Sequence, residues 1–110
     1  PAAALISDLL AKNCDFFAIG TNDLTMYTLA TDRGDEEVAN IYDPTHPSVL
    51  KLIQLTVNSA KDNNIPVSIC GEMAGDTLFT MLLVGLNINS LSMGISSILK
   101  IKQFLNYLSL

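Results

Sequence analysis

Two short segments carry the residues of this chain that could do chemistry. Asn22 and Asp23 follow an apolar run that ends in Gly20, and Cys70 ends a second apolar run just before Gly71. An amide can donate hydrogen bonds to an anion, and a carboxylate can hold a hard divalent cation such as Mg²⁺. A thiol in such a position can donate a proton or act as a nucleophile. These segments therefore hold the candidate site residues.

Each candidate also has a structural interpretation. Asn22 and Asp23 are common helix caps, which the local pattern alone favours. A free cysteine is usually a small buried side chain, but the place of Cys70 at a strand end keeps reactivity open. Cys14, at the end of a predicted helix, is assigned to packing. The only histidine, His46, is expected to precede a helix and not to activate a thiol.

Arg33 lies in a polar loop over residues 31–46, amid the acidic residues Asp32, Asp35 and Glu36. It can form a solvated salt bridge there, or it can clamp a phosphate or carboxylate through two parallel hydrogen bonds. The acidic composition of the loop favours the salt bridge. A long loop after a strand is nevertheless typical of a functional segment.

The elements that must position these residues alternate along the chain. Apolar periodicity, glycines and prolines predict three short strands, four main helices and a further helical stretch over 23–30. The predicted strands cover 15–20, 66–70 and 90–94, and the predicted helices cover 1–12, 23–30, 47–62, 77–84 and 97–107. This alternation indicates an α/β fold with a parallel sheet. The candidates all follow the carboxyl ends of strands, where ligands bind in such folds.

Composition excludes several classes of protein. The chain has 110 residues, six of them basic and eleven acidic, for a net charge of −5, so a basic nucleic-acid-binding face is excluded. The apolar runs are too short for a transmembrane helix, and no signal-peptide pattern is present. The two cysteines fit a reducing cytoplasm. Hydrophobic residues make up 49%, which is high for so short a single domain.

Several segments together resemble one family. The matching segments are residues 16–25, 27–30, 32–34, 46–50, 70–76 and 91–93. They resemble the phosphoenolpyruvate-binding domain of enzyme I of the bacterial phosphotransferase system, a phosphoenolpyruvate-protein phosphotransferase. The nitrogen-related paralogue of enzyme I is similar in the same segments. The resemblance spans nearly all of the chain.

The resemblance implies that residues 1–110 are the carboxyl-terminal portion of a (β/α)₈ TIM barrel, its last three strands with their helices. The family dimerises. It moves the phosphoryl group of phosphoenolpyruvate, with Mg²⁺, to a histidine on a separate domain and then to a histidine-containing carrier protein. Asn22 and Asp23 would bind substrate, and Asp23 would also bind Mg²⁺. Arg33 would bind the phosphate end, and Cys70 would be the catalytic acid that protonates the pyruvate enolate.

This chain departs from the family pattern at several points. Met26 stands where the family commonly has a glutamine, and the family's second metal ligand, a glutamate, would lie just ahead of Pro1. The context of His46 does not match that of the phosphorylated histidine. We therefore expect the chain alone to be inactive in turnover. The open edges of a partial barrel also lead us to expect self-association.

Two other interpretations remain. A pyruvate phosphate dikinase or a phosphoenolpyruvate synthase carries similar barrel motifs, although the run from Asp32 to Gly34 favours enzyme I. A non-catalytic signalling module such as a receiver domain belongs to a different class. It needs a phosphoacceptor aspartate after the third strand, where this chain has Gly94.

Overall fold

The computed structural model describes residues 1–32, 34, 36 and 40–108, and its centre is a parallel sheet. The strands are β1 (Phe17–Gly20), β2 (Val67–Cys70) and β3 (Ser90–Leu91), in the order β1-β2-β3. Both neighbouring pairs run parallel. The predicted α/β class and parallel sheet are therefore confirmed, and the sheet is consistent with the last strands of a TIM barrel.

Helices separate the strands. They are α1 (Ala2–Leu5), α2 (Ser7–Ala11), α3 (Thr21–Leu29), α4 (Pro47–Asp62), α5 (Thr77–Gly85) and α6 (Ile95–Tyr107). A short 3₁₀ helix (Glu72–Gly75) follows β2 directly. Helix α4 has the predicted bounds, because a proline at its first position and an apolar face with helical spacing define it clearly in the sequence.

The two faces of the sheet differ in character. Ile19, Val67 and Ile69 point to one face and are buried against the apolar side of α4, whose fully buried residues include Val49 and Ile53. Side chains alternate along a strand, so the intervening residues lie on the other face. There β1 and β2 carry exposed or half-buried small residues: Ala18, Gly20, Ser68 and Cys70. Cys70 thus lies at the strand end on the open face of the sheet.

Some element bounds differ from the prediction. The expected helix over residues 1–12 divides at Ile6, whose φ of −109° and ψ of 20° leave the helical region. The next residue, Ser7, is buried, and its hydroxyl contacts the Ser59 hydroxyl on α4 at 2.8 Å. The break therefore coincides with a polar anchor that the apolar spacing could not reveal.

All three predicted strands are shorter in the structure, although β2 loses only its first residue. β1 begins at Phe17, whose N–H donates to Pro66 O, and the exposed residues before it have no strand partner. β3 is only Ser90–Leu91, since it pairs with Ser68 and Ile69 alone. The apolar sequence pattern extends beyond the residues that pair with a neighbouring strand.

A pair of local hydrogen-bond motifs leads into α4. The Asp43 carboxylate accepts hydrogen bonds from Thr45 N at 2.9 Å and from Thr45 Oγ1 at 2.7 Å. His46 is the N-cap of α4, and its Nδ1 accepts from Ser48 N at 3.2 Å. The structural role predicted for His46 is confirmed. The two bonds from Thr45, with the nearby His46, lower the pKa of the Asp43 carboxyl below its usual value.

Among the described helices, none combines the length and apolar character that a membrane span needs.

We predict that the Ile53→Ala variant is less stable by about 2–5 kcal/mol, because it leaves a cavity where α4 packs on the sheet. Ile53 is fully buried. Leu55→Ala is the matched control on the same helix, since Leu55 is 39% exposed. Urea denaturation measures both. Equal losses for the two variants would show that the buried face of α4 is assigned incorrectly.

We also predict that Asp43 contributes stability with a defined pH dependence. Because its pKa is lower in the folded chain, the contribution is present above the unfolded pKa of about 3.9 and is lost as the pH falls through the folded value. The free energy of unfolding should therefore exceed that of Asp43→Asn at neutral pH, and the difference should shrink in acid. A difference that stays constant from neutral pH to below pH 3 would contradict this.

Candidate functional site

The candidate site forms where β1 and β2 end side by side. Gly20 is opposite Cys70 in the parallel register, and this is the last pair of the two strands. The chain turns directly into α3 at Thr21 and into the 3₁₀ helix after Gly71. As predicted, the segments that follow the two strands meet at one edge of the sheet.

Two hydrogen bonds join these segments. The Thr21 hydroxyl donates to the carbonyl oxygen of Cys70 at 3.0 Å, and the Glu72 N–H donates to Asn22 Oδ1 at 3.3 Å. The partners are about 50 residues apart in sequence, so the bonds are tertiary contacts between the ends of the strands. Because the oxygen of the Asn22 amide is engaged, the other edge of the amide presents N–H donors.

Gly71 has a backbone that only glycine adopts without strain. Its φ is 107° and its ψ is −178°. A Cβ atom at this position would lie 2.6 Å from Thr21 Oγ1 and 3.1 Å from Asn22 Oδ1. The absence of a side chain at Gly71 therefore lets α3 approach the end of β2 closely enough for both hydrogen bonds.

The thiol of Cys70 is exposed, so the interpretation as a buried packing residue is wrong for this cysteine. Its Sγ donates a weak hydrogen bond to the Ile19 carbonyl at 3.6 Å. Cys14 is also exposed, which contradicts its assignment to packing. Cys70 is held against β1 by this bond, and among the described residues no such hydrogen bond orients Cys14.

The helix-cap interpretation of Asn22 and Asp23 is also wrong. The N-cap of α3 is Gly20, without a side-chain cap, and both candidates belong to the first helical turn. Successive helical residues point about 100° apart, so the two side chains diverge. Asn22 lines a cavity of about 610 Å³, and Asp23 lines a second cavity of about 260 Å³ beside Pro1 and Gly20.

The larger cavity is polar and has charges of both signs. Its volume lies in the range of small-molecule sites, about 300–1,000 Å³. Glu72, Asp76 and Lys100 line it together with Asn22 and Gly71. Asp76 also caps α5 by accepting from Leu78 N at 2.9 Å.

Sequence reasoning assigned no role to several contributors to this region, among them Thr21, Gly71 and Lys100. Thr21 is indistinguishable from any other helix-start threonine until β2 is placed beside it. The role of Gly71 depends on a contact across the sheet. Lys100 lies in the second turn of α6 and reaches the cavity only through the packing of α6 near the 3₁₀ helix. Arg33 lies outside the described residues.

Asp23 could serve as one ligand of a divalent cation. In the part of the chain that the structure describes, no cluster of three or more His, Cys, Asp or Glu residues could hold a metal ion. The exposed carboxylate of Asp23 is a single hard oxygen ligand. Mg²⁺ is commonly held by one or two carboxylates, with substrate phosphates and waters completing its shell, so Asp23 fits that type of site.

Comparison with known proteins identifies relatives over nearly the whole chain. The family model described as PEP-utilising enzyme, PEP-binding domain matches residues 1–109. Relatives named phosphoenolpyruvate-protein phosphotransferase include those of Borreliella burgdorferi at 51% identity over 96% of the chain, Buchnera aphidicola subsp. Acyrthosiphon pisum at 49% over 96% and Cupriavidus necator at 48% over 94%. The chain spans 18% of the length of each of these relatives.

We predict that Gly71→Ala destabilises the chain by about 1–3 kcal/mol, since it combines backbone strain with a clash against Thr21 Oγ1. Gly85→Ala is the control. A Cβ there meets nothing within 4 Å, and the change in a helix is neutral or stabilising by up to about 1 kcal/mol. Denaturant unfolding gives both values. A Gly71→Ala variant as stable as the original chain would refute the close approach of α3 to β2.

Proposed function

Since this chain belongs to the family of PEP-binding domains of PEP-utilising enzymes, we propose that it provides the end of the phosphoenolpyruvate-binding barrel of a phosphoenolpyruvate-protein phosphotransferase. Residues 1–110 would be the last three strands with their helices. The observation that carries the proposal is the exposed Cys70 thiol beside the hydrogen-bonded pair of Asn22 and Glu72. The names of the relatives favour the phosphotransferase over a dikinase or a synthase.

The reaction proposed for the whole protein begins with transfer of the phosphoryl group to a histidine on a separate domain. The P–O bond of phosphoenolpyruvate breaks, a P–N bond forms, and the enolate of pyruvate remains. Such transfers depend mainly on positioning and on neutralising charge. Asn22 supports this role, because its amide presents N–H donors beside a polar cavity.

Protonation of the enolate completes the reaction. The electron pair of the enolate forms a C–H bond at carbon 3 as the S–H bond of Cys70 breaks, and the resulting thiolate recovers a proton from solvent. A positioned general acid typically contributes about 10²–10⁴-fold to such a step. The exposure of Cys70 and its contact with the Ile19 carbonyl support this role, because the thiol is both accessible and oriented.

Charge neutralisation would come from two further groups. Mg²⁺ held by Asp23 would supply positive charge next to the phosphate, and Arg33 would bind the phosphate end of the substrate. Among the described residues lining the larger cavity, Lys100 is the only cationic side chain, against Glu72 and Asp76. A strongly anionic substrate would therefore need the added cation and the arginine.

The partners follow from the same proposal. The phosphohistidine domain would pass the phosphoryl group to a small histidine-containing carrier protein, in the first step of sugar transport or in the nitrogen branch of the system. We place this activity in the cytoplasm, in a homodimer or a self-associating assembly. We propose no nucleic-acid partner, because a chain with a net charge of −5 lacks the basic surface that binds a phosphate backbone.

We predict that Cys70→Ala, in a full-length protein that carries this sequence, lowers the rate of pyruvate formation by about 10²-fold or more. The assay couples pyruvate to lactate dehydrogenase in the presence of Mg²⁺, phosphoenolpyruvate and the acceptor carrier. Cys14→Ala is the matched control, because Cys14 is the other exposed cysteine and precedes β1, whereas Cys70 ends β2.

Phosphorylation of the acceptor histidine should be less affected than pyruvate formation in a single turnover, since Cys70 acts after the phosphoryl group has left. If Cys70→Ala retained a normal turnover rate, the assignment of Cys70 as the acid would be wrong. If Cys14→Ala lost as much activity as Cys70→Ala, the effect would not be specific to the site.

A further inference from the structure

We infer that Thr21 is the positioning residue for the catalytic acid, and that its hydroxyl sets the orientation of the Cys70 thiol. This inference rests on the proposed function of Cys70. Thr21 is fully buried. Among the described residues, the one side-chain hydrogen bond of Thr21 is donated to the carbonyl oxygen of Cys70, at 3.0 Å.

The carboxyl end of β2 receives little restraint from the sheet beyond Cys70. Pairing between β1 and β2 stops at Gly20 and Cys70, and β3 pairs only with the preceding Ser68 and Ile69. Beyond Cys70 the chain enters Gly71, which has no Cβ and therefore leaves the backbone a wide choice of conformations, including the positive φ that it adopts here. The Thr21 hydroxyl therefore holds the peptide group between Cys70 and Gly71 at the point where the sheet no longer does.

Cys70 is held both through its side chain and through its backbone. Cys70 Sγ donates to the Ile19 carbonyl at 3.6 Å, while the Cys70 carbonyl accepts from Thr21. Ile19 and Thr21 flank Gly20, so one short segment of the chain fixes both the thiol and the backbone of Cys70. An S–H donor is weak. Loss of the Thr21 hydroxyl would leave the thiol held by that weak bond and the backbone held only by its pairing with β1.

The side chain of Thr21 is itself restricted. A β-branched residue has few χ1 rotamers at a helix start. Its Oγ1 lies 2.6 Å from the place where a Cβ of Gly71 would be. Thr21 can therefore hold the end of β2 in a fixed position relative to α3.

Thr25 provides a matched control. It is also a fully buried threonine of α3, and its hydroxyl bonds within the helix to the carbonyl of Thr21. Replacing either threonine by valine removes one buried hydroxyl from the same helix. Only Thr21→Val removes the bond to Cys70.

The test measures which face of the enolate receives the proton. A full-length protein carrying this sequence is given the (Z)-3-fluoro analogue of phosphoenolpyruvate in D₂O, with Mg²⁺ and the acceptor carrier. An S–D bond of Cys70 breaks as a C–D bond forms, which makes carbon 3 of fluoropyruvate a stereocentre. The product is reduced at once by lactate dehydrogenase, and its configuration at carbon 3 is read by ¹⁹F NMR.

Facial selectivity separates positioning from general stability. A destabilised protein has fewer active molecules, but those molecules still deliver the deuteron to one face. We expect one product configuration for the unsubstituted protein, for Thr21→Ser and for Thr25→Val. Thr21→Val should give both configurations and a kcat lower by about 10²-fold, with KM changed less than twofold, because a small displacement of a reacting group has an effect of this size.

The variants distinguish the inference about Thr21 from the proposed function of Cys70. If Thr21→Val keeps the selectivity of the unsubstituted protein, or if Thr25→Val loses it to the same extent, the inference about Thr21 is overturned. If Cys70→Ala keeps the selectivity, the proposed function of Cys70 fails instead. If the valine variant does not fold by circular dichroism, Thr21→Ala removes the same hydroxyl without adding volume, and its selectivity decides in the same way.

Discussion

The parallel register of β1 and β2 is the constraint on which the rest of the structure depends. It ends with Gly20 opposite Cys70, so the residues that follow each strand must emerge next to each other. Ile19 and Ile69 pair in this register and both face the core. A shift of β2 by one residue against β1 would turn Ile69 away from the core and would move Cys70 to the covered face. Burial of those two isoleucines against α4 therefore stabilises the same register that assembles the candidate site.

The site depends equally on Gly71, which has no side chain. Because Gly71 leaves room for the Thr21 hydroxyl, α3 can start against the end of β2, and Asn22 can accept from the Glu72 N–H. Small residues line the open face of the sheet, and large apolar residues are confined to the covered face. One face thus provides stability, while the edge and the open face present polar groups. This division is typical of α/β folds that bind ligands at their strand ends.

The sequence predicted a large part of this arrangement. Three features could be derived from periodicity and from glycines: helix α4, the alternation of strands and helices, and the positions of Asn22, Asp23 and Cys70 at or just after the strand ends. These features are local, and each leaves a repeating pattern in the chain. The family resemblance, carried by long motifs in a fixed order, was confirmed by the match over residues 1–109.

Other features depend on contacts that no local pattern contains. The break at Ile6, the short β3 and the true N-cap at Gly20 are set by which partners pack against these segments. The exposure of Cys70 and the divergence of Asn22 from Asp23 follow from strand register and helix geometry. The roles of Thr21 and Gly71 likewise depend on β1 and β2 lying side by side, which no local sequence pattern shows.

The central claim is that the adjoining ends of β1 and β2 bind phosphoenolpyruvate. The most direct measurement is an amide NMR titration of a ¹⁵N-labelled full-length protein carrying this sequence, with phosphoenolpyruvate added in the presence of Mg²⁺. We predict that the amides of residues 20–23 and 70–72 shift together along one saturation curve. Saturable binding that leaves those amides in place, with shifts confined to other parts of the protein, would contradict the account.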